Sequence, residues 1–156
     1  MHIERLYIGL PDHCQVEHQR VELSAGAGIV GDRYFGRADE PGQNITLIEA
    51  EVLEAFALAH HRAIDFSISR RNVITRGLRL NELVGREFQL GGLRLRGVEL
   101  CEPCAGLGQS LASAELPAPA IVRYFLRRGG LRADVLSSGT LSVGDGFLPS
   151  PAPAAA

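Results

Sequence analysis

The chain reads as a mainly β protein whose strands close, or partly close, into a barrel. Three features predict this. Apolar residues recur in many short stretches with a period of two; few segments carry a helical period; and 18 glycines and 8 prolines punctuate the intervals. Alternating βαβ units would need a helix after most strands, so a barrel is the better fit.

His2 to Ile8 reads as the first strand, with Leu6 and Ile8 on one face. Val16 to Leu23 reads as the second, where Val21 and Leu23 alternate with charged residues. Ala25 to Gly36 is glycine-rich and is expected to turn sharply several times, and Asp39 to Gln43 is a polar loop. Asn44 to Ile48 is an apolar stretch feeding a helix. There Thr46-Leu-Ile-Glu49 fits a capping box, and Val52, Leu53, Phe56 and Ala57 form the buried stripe. Glu49, Glu51 and Glu54 near its start and His60, His61 and Arg62 near its end complement the helix dipole.

Asn72 to Thr75 is a brief strand. Glu87 to Leu90 and Leu93 to Leu100 form a hairpin across the two-residue loop Gly91-Gly92, with Leu90 opposite Leu93. The apolar alternation slips by one residue at Gly97, which predicts a bulge that re-aims the strand before Cys101. Ala118 to Arg128 reads as a short helix ended by Gly129-Gly130. Leu131 to Leu136 and Thr140 to Val143 are the last strands. One domain over residues 1–148 and a disordered Pro/Ala-rich tail over 149–156 are expected.

Composition narrows the function. A net charge of −2 makes no electrostatic case for nucleic acid or an anionic membrane, and no apolar run is long enough to span a bilayer. The N-terminus lacks a basic region followed by an apolar run, so the expected location is the cytoplasm. All 16 basic side chains other than histidine are arginines. Without lysine, pyridoxal phosphate has no covalent anchor, whereas guanidinium groups favour bidentate binding of phosphate or carboxylate.

The three cysteines, Cys14, Cys101 and Cys104, do not suggest a disulfide framework. Cys101-Glu-Pro-Cys104 admits several readings. It is half of a zinc site if Cys14 with His13 or His18 completes it, a dithiol redox pair, or two small buried hydrophobes. The buried reading suits Cys101. For Cys104 the flanking Pro103 and Ala105-Gly106 suggest an accessible loop, hence a nucleophile or a soft-metal ligand. Arg70, Arg71 and Asn72 can be a solvated turn or an anion site of guanidinium forks plus an amide donor. In Gly31-Asp32-Arg33, the aspartate either holds a turn or pairs with Arg33.

Five segments in order, Gly31-Asp32-Arg33, Asn44 to Glu54, Arg70-x-Asn72 with Gly77, Val84-Gly85 through Pro103-Cys104, and Gly130 to Asp145, resemble the MOSC domain, the module found at the C-terminus of molybdenum-cofactor sulfurases. The resemblance spans nearly the whole chain and suggests a short stand-alone member. It implies a mostly antiparallel barrel like that of pyruvate kinase, with peripheral helices. It also implies that Cys104 carries sulfane sulfur or ligates molybdenum, in a sulfurtransferase-type or molybdenum-dependent activity or in a carrier without turnover. Arg33, Arg70, Arg71 and Asn72 would then bind molybdopterin. The implied partners are a cysteine desulfurase as sulfur donor and a molybdoenzyme as acceptor. Arg71 departs from the family pattern, where an acidic residue is common, and so does the presence of Cys101.

Overall fold

The computed structural model describes residues 1–37, 41–103 and 105–150. The strands are β1 (His2–Gly9), β2 (Gln15–His18), β3 (Arg20–Ser24), β4 (Gly28–Ile29), β5 (Ile45–Glu49), β6 (Val73–Arg76), β7 (Glu87–Leu90), β8 (Leu93–Leu100), β9 (Leu131–Val135), β10 (Gly139–Ser142) and β11 (Phe147–Pro149). The helices are α1 (Ala50–Ala59), α2 (Ala105–Leu111) and α3 (Ala118–Phe125), with 3₁₀ turns at Phe66–Ser69 and Leu80–Leu83.

An eight-stranded sheet runs β11-β7-β8-β9-β5-β6-β1-β2, and a three-stranded sheet runs β10-β3-β4. The pairings are antiparallel except β5 with β6. A parallel pair needs a crossover, and α1 with the turn Phe66–Ser69 supplies it. The chain is thus mainly β with few helices, as expected, but the large sheet is mixed.

Among the described residues the ladder does not close into a barrel. β2 and β11 remain its edges, and β1 meets the end of the chain through one isolated bridge, His2 with Gly146. The turn before β11 is nonetheless tied to β1. The Ile3 amide donates to the Asp145 carbonyl and the Gly144 amide to the Ile3 carbonyl, while Asp145 closes the turn by accepting from the Ser142 amide. Beyond this turn, β11 pairs with β7.

The main core draws on both sheets: Ile3, Leu6, Val21, Ile29, Leu47, Phe88, Leu95 and Leu141 are all buried in it. A second cluster lies on the other face of β1, β5 and β6. There Tyr7, Ile48 and Ile74 meet Phe56 of α1, Leu107 of α2 and Phe125 of α3. Strand alternation separates the two, with Leu47 and Val73 in the first and Ile48 and Ile74 in the second. A register shift between Ile3 and Arg5 lets β1 place both Ile3 and Leu6 in the first core despite their opposite parity.

Several expectations hold. The hairpin spans 87–90 and 93–100 with Leu90 opposite Leu93, and β8 shifts register against β9 between Gly97 and Glu99. Others are corrected. The second strand is two, broken at Gln19, and its halves pair with different partners, β1 and β10. Thr46 to Glu49 is strand rather than capping box. The ladders to β6 and β9 hold it extended, and α1 starts at Ala50 with no side-chain cap from Glu49. Its buried stripe is Ala50, Leu53, Phe56 and Ala57, with Val52 only partly buried. The helix expected to Arg128 ends at Phe125. Pro149, assigned to the tail, pairs with Phe88 in β11, and residues 151–156 lie outside the described residues. Among the described residues no helix is long and apolar enough to cross a membrane.

Candidate functional site

The site is organised around a buried carboxylate. Asp32 is 7% exposed, and its Oδ1 accepts from the Gly9 amide (2.8 Å) and from Asn72 Nδ2 (3.0 Å), while Oδ2 accepts from the Tyr34 amide (3.1 Å). A carboxylate can be buried at tolerable cost when it is supplied with donors in this way. Asn72 links this knot to the parallel strand pair. Its Oδ1 accepts from the Thr46 amide (3.0 Å) and hydroxyl (3.1 Å), and its Nδ2 also reaches the Tyr7 carbonyl (3.3 Å). The Arg33 amide donates to the Gly9 carbonyl (2.8 Å). The Gly31–Arg33 turn is therefore pinned to the end of β1 and the start of β6.

Beside this knot lies a cavity of about 510 Å³. Gly9 and Gln15 form one wall, Arg33 and Tyr34 a second, Arg70 to Asn72 a third, and Glu99 to Glu102 with Arg132 a fourth. The cavity thus gathers Arg33, Arg70, Arg71 and Asn72, the expected anion-binding set, on one surface with Cys101.

The four arginines differ in their partners. Arg71 donates from Nε to the Gly129 carbonyl (2.9 Å) and from Nη2 to the Cys101 carbonyl (3.5 Å), so it fastens the cysteine segment to the entry of β9. Arg132 pairs with Glu99 (3.0 Å). Arg70 and Arg33 have no carboxylate within ion-pair reach among the described residues. Arg70 ends the first 3₁₀ turn in the left-handed region (φ 59°, ψ 22°), a sparsely used conformation for a side-chain-bearing residue. Arg33 donates from Nη1 to His13 Nδ1 (3.1 Å), which requires His13 to present that nitrogen unprotonated. The Arg33 guanidinium lies over the Tyr34 ring at 5.0 Å, and its Nε is buried without a hydrogen-bond partner among the described residues. Asn72 spends its amide donors on Tyr7 and Asp32, so its contribution to the cavity is to hold the Asp32–Arg33 turn.

The cysteine wall follows from the β8 bulge. Past the register shift, the Cys101 amide donates to the Gly130 carbonyl (2.7 Å), and the Cys101 carbonyl sits where a Cβ on Gly129 would be. Glycine at 129 is what allows this approach. Cys101 is half-buried, and Glu102 accepts from the Arg127 amide (3.4 Å). Cys104, the expected catalytic and metal-ligating thiol, lies outside the described residues. Cys14 is exposed in the β1–β2 turn, and hydrogen bonding to Asp12 pushes its thiol pKa up, away from the reactive thiolate. Among the described residues no group of three or more His, Cys, Asp and Glu side chains forms a metal site.

Sequence reasoning missed Tyr34, Thr46, Gln15 and Arg132 as cavity residues. Tyr34 directly follows Gly31-Asp32-Arg33 and was within reach of that motif. Arg132 comes to the cavity through the pairing of β9 with both β8 and β5, which leaves no local trace in the sequence.

Solved structures share this architecture. The chain is similar to the YuaD protein from Bacillus subtilis, at 23% identity with a TM-score of 0.80, covering 93% of this chain and 92% of that one. It is also similar to YiiM from Geobacillus stearothermophilus (14% identity, TM-score 0.74, covering 96% of this chain and 75% of that one). A third is YiiM from Escherichia coli (15% identity, TM-score 0.66, covering 98% and 71%). No curated protein sequence matches the chain. The family model for the MOSC domain matches residues 34–147, which take in Arg70–Asn72, the cysteine segment and the strands that carry them, and the chain belongs to the MOSC domain family.

Proposed function

We propose that the arginine-lined cavity binds molybdopterin, the phosphate-bearing molybdenum cofactor, and that Cys104 serves it as sulfur carrier or metal ligand. The observation that carries this reading is the pair Arg33 and Arg70. Both line a cavity of about 510 Å³ beside the cysteine segment, and neither has a carboxylate partner among the described residues. A buried donor without an acceptor costs about 1–3 kcal/mol, so the orphaned Nε of Arg33 favours a ligand that brings oxygen atoms to that guanidinium. Guanidinium forks match phosphate geometry, and the cavity volume is ordinary for a small-molecule site. The donor set therefore fits a phosphorylated cofactor.

In this reading Arg33 and Arg70 hold the phosphate. Asp32 and Asn72 keep the Arg33 turn in place, and Arg71 holds the carbonyl of Cys101, three residues before the working thiol. The molybdenum-loaded cofactor, when bound, would supply a metal centre for which the Cys104 thiolate is a suitable ligand. Sulfur arrives by exchange with a persulfide donor such as a charged cysteine desulfurase. The Cys104 thiolate attacks the donor's terminal sulfur, the donor's S–S bond breaks, a new S–S bond forms on Cys104, and the donor leaves as thiolate.

The test is purification from a host that makes the cofactor, followed by metal analysis and peptide mass spectrometry. Molybdenum should be retained, and sulfane sulfur should map to Cys104. Removing one charge-assisted contact, by Arg33→Ala or Arg70→Ala, should lower retention roughly tenfold or more. Cys104→Ser should abolish sulfur loading. Full retention in the Arg33→Ala/Arg70→Ala double variant would refute the site. Retention without sulfur on Cys104 would establish a carrier instead.

A further inference from the structure

The exposed ring beside the anion-binding arginines does not take part in the phosphate reading, and its setting is unusual. Tyr34 is 42% exposed, lines the cavity, and has the Arg33 guanidinium over its ring at 5.0 Å. Its backbone is fixed at both ends: the amide donates to Asp32 Oδ2 (3.1 Å), and the carbonyl accepts from the Arg37 amide (3.0 Å). An exposed aromatic ring normally samples several rotamers. Here the turn holds the backbone and the cation holds the ring, so little ordering remains to be done when a ligand arrives.

We infer that Tyr34 is a stacking platform for a flat heteroaromatic ring, and that it makes the cavity select ring-bearing phosphates over phosphates without a ring. This rests on the reading of the cavity as a phosphate-binding site and adds a second contact to it. The two contacts are adjacent in sequence and space. Arg33 meets the phosphate with the guanidinium edge that His13 leaves open, while Tyr34 offers ring surface next to it. Stacking on an aromatic side chain tolerates any planar ring, because every such ring presents a π face. The platform therefore selects for flatness and size rather than for a particular set of hydrogen bonds.

The experiment is calorimetric titration of the full chain with three probes: inorganic phosphate, ribose 5-phosphate and guanosine 5′-monophosphate. The last carries a bicyclic heteroaromatic ring and shares its sugar phosphate with the second. The nucleotide should bind roughly tenfold more tightly than ribose 5-phosphate. Tyr34→Ala should erase that preference and leave phosphate affinity unchanged, while Tyr34→Phe keeps both. The chain contains no tryptophan, so Tyr34→Trp installs a single indole whose emission the nucleotide should quench and ribose 5-phosphate should not. Equal affinities for the two sugar phosphates, or a preference that survives Tyr34→Ala, overturn the platform and leave the phosphate site standing. Loss of phosphate and nucleotide affinity together in Tyr34→Ala means that the ring acts only through Arg33, which also overturns it. If none of the probes binds the native chain, the phosphate site fails and the platform falls with it.

Discussion

Asn72 lines the cavity yet spends its side-chain amide on the protein itself. It joins Thr46, Tyr7 and Asp32, residues brought together from β5, β1 and the glycine-rich turn. Asn72→Ala should therefore leave Asp32 Oδ1 with the Gly9 amide alone and take the acceptor from the Thr46 amide. The expected cost is about 1–3 kcal/mol, read from the urea midpoint, because a buried donor loses its partner and a buried carboxylate loses one of its donors. Anion affinity should fall with it through the loosened Arg33 turn. The sequence supplied both Asp32 and Asn72 as candidates, but it left the amide between a solvated turn and an anion site, and the aspartate between holding a turn and pairing with Arg33. The aspartate holds the turn and makes no ion pair with Arg33. Forty residues separate Asp32 from Asn72, and only the folded chain shows that they satisfy each other.

At the scale of elements, the hairpin β7–β8 was legible to the residue because its information is local: alternation, a two-glycine turn and one slip in parity. The slip is a real register shift against β9, and Gly97 stands at it. A Cβ on Gly97 would run into the Leu83 carbonyl, and the Gly85 amide donates to the Gly97 carbonyl (2.8 Å). Gly97→Ala must therefore push the segment before β7 away from β8. This should destabilise by about 1–3 kcal/mol in chemical denaturation, as overpacking against fixed neighbours does. It should also displace Leu100 and Cys101 in the cavity wall, so anion affinity should drop even where the variant still folds. The false capping box at Thr46–Glu49 fails for the opposite reason. Its local pattern was sound, but the ladders to β6 and β9 extend these residues, and the Thr46 hydroxyl is taken by Asn72. Pairing between distant strands overrode a local signal.

At the scale of the whole molecule, the family and its mainly β architecture were readable from ordered motifs, whereas sheet closure was not. Closure depends on how the last turn meets β1 through its backbone, while on its other flank β1 is tied to β6 and α1 by charge. Glu4, in β1, receives Arg76 of β6 at 3.1 Å, and Arg76 also pairs with Glu54 of α1. The hydrogen bond from Arg76 holds the Glu4 carboxyl below its ordinary value of 4.5, against burial, which acts the other way. The sign follows from linkage. A depressed carboxylate pKa stabilises the fold fully above 4.5, and that contribution is lost as pH falls through the folded value. Glu49, at the start of α1, behaves oppositely. Desolvation raises its pKa, so its protonation as pH falls favours the folded state. Urea midpoints measured from neutral pH down to acid should separate the two. Glu4→Gln should lose less stability on acidification than the native chain, and Glu49→Gln should lose more. Parallel pH profiles for all three proteins would mean that neither carboxyl contributes to the acid sensitivity of the sheet, and that the tie between β1, β6 and α1 is made by packing alone.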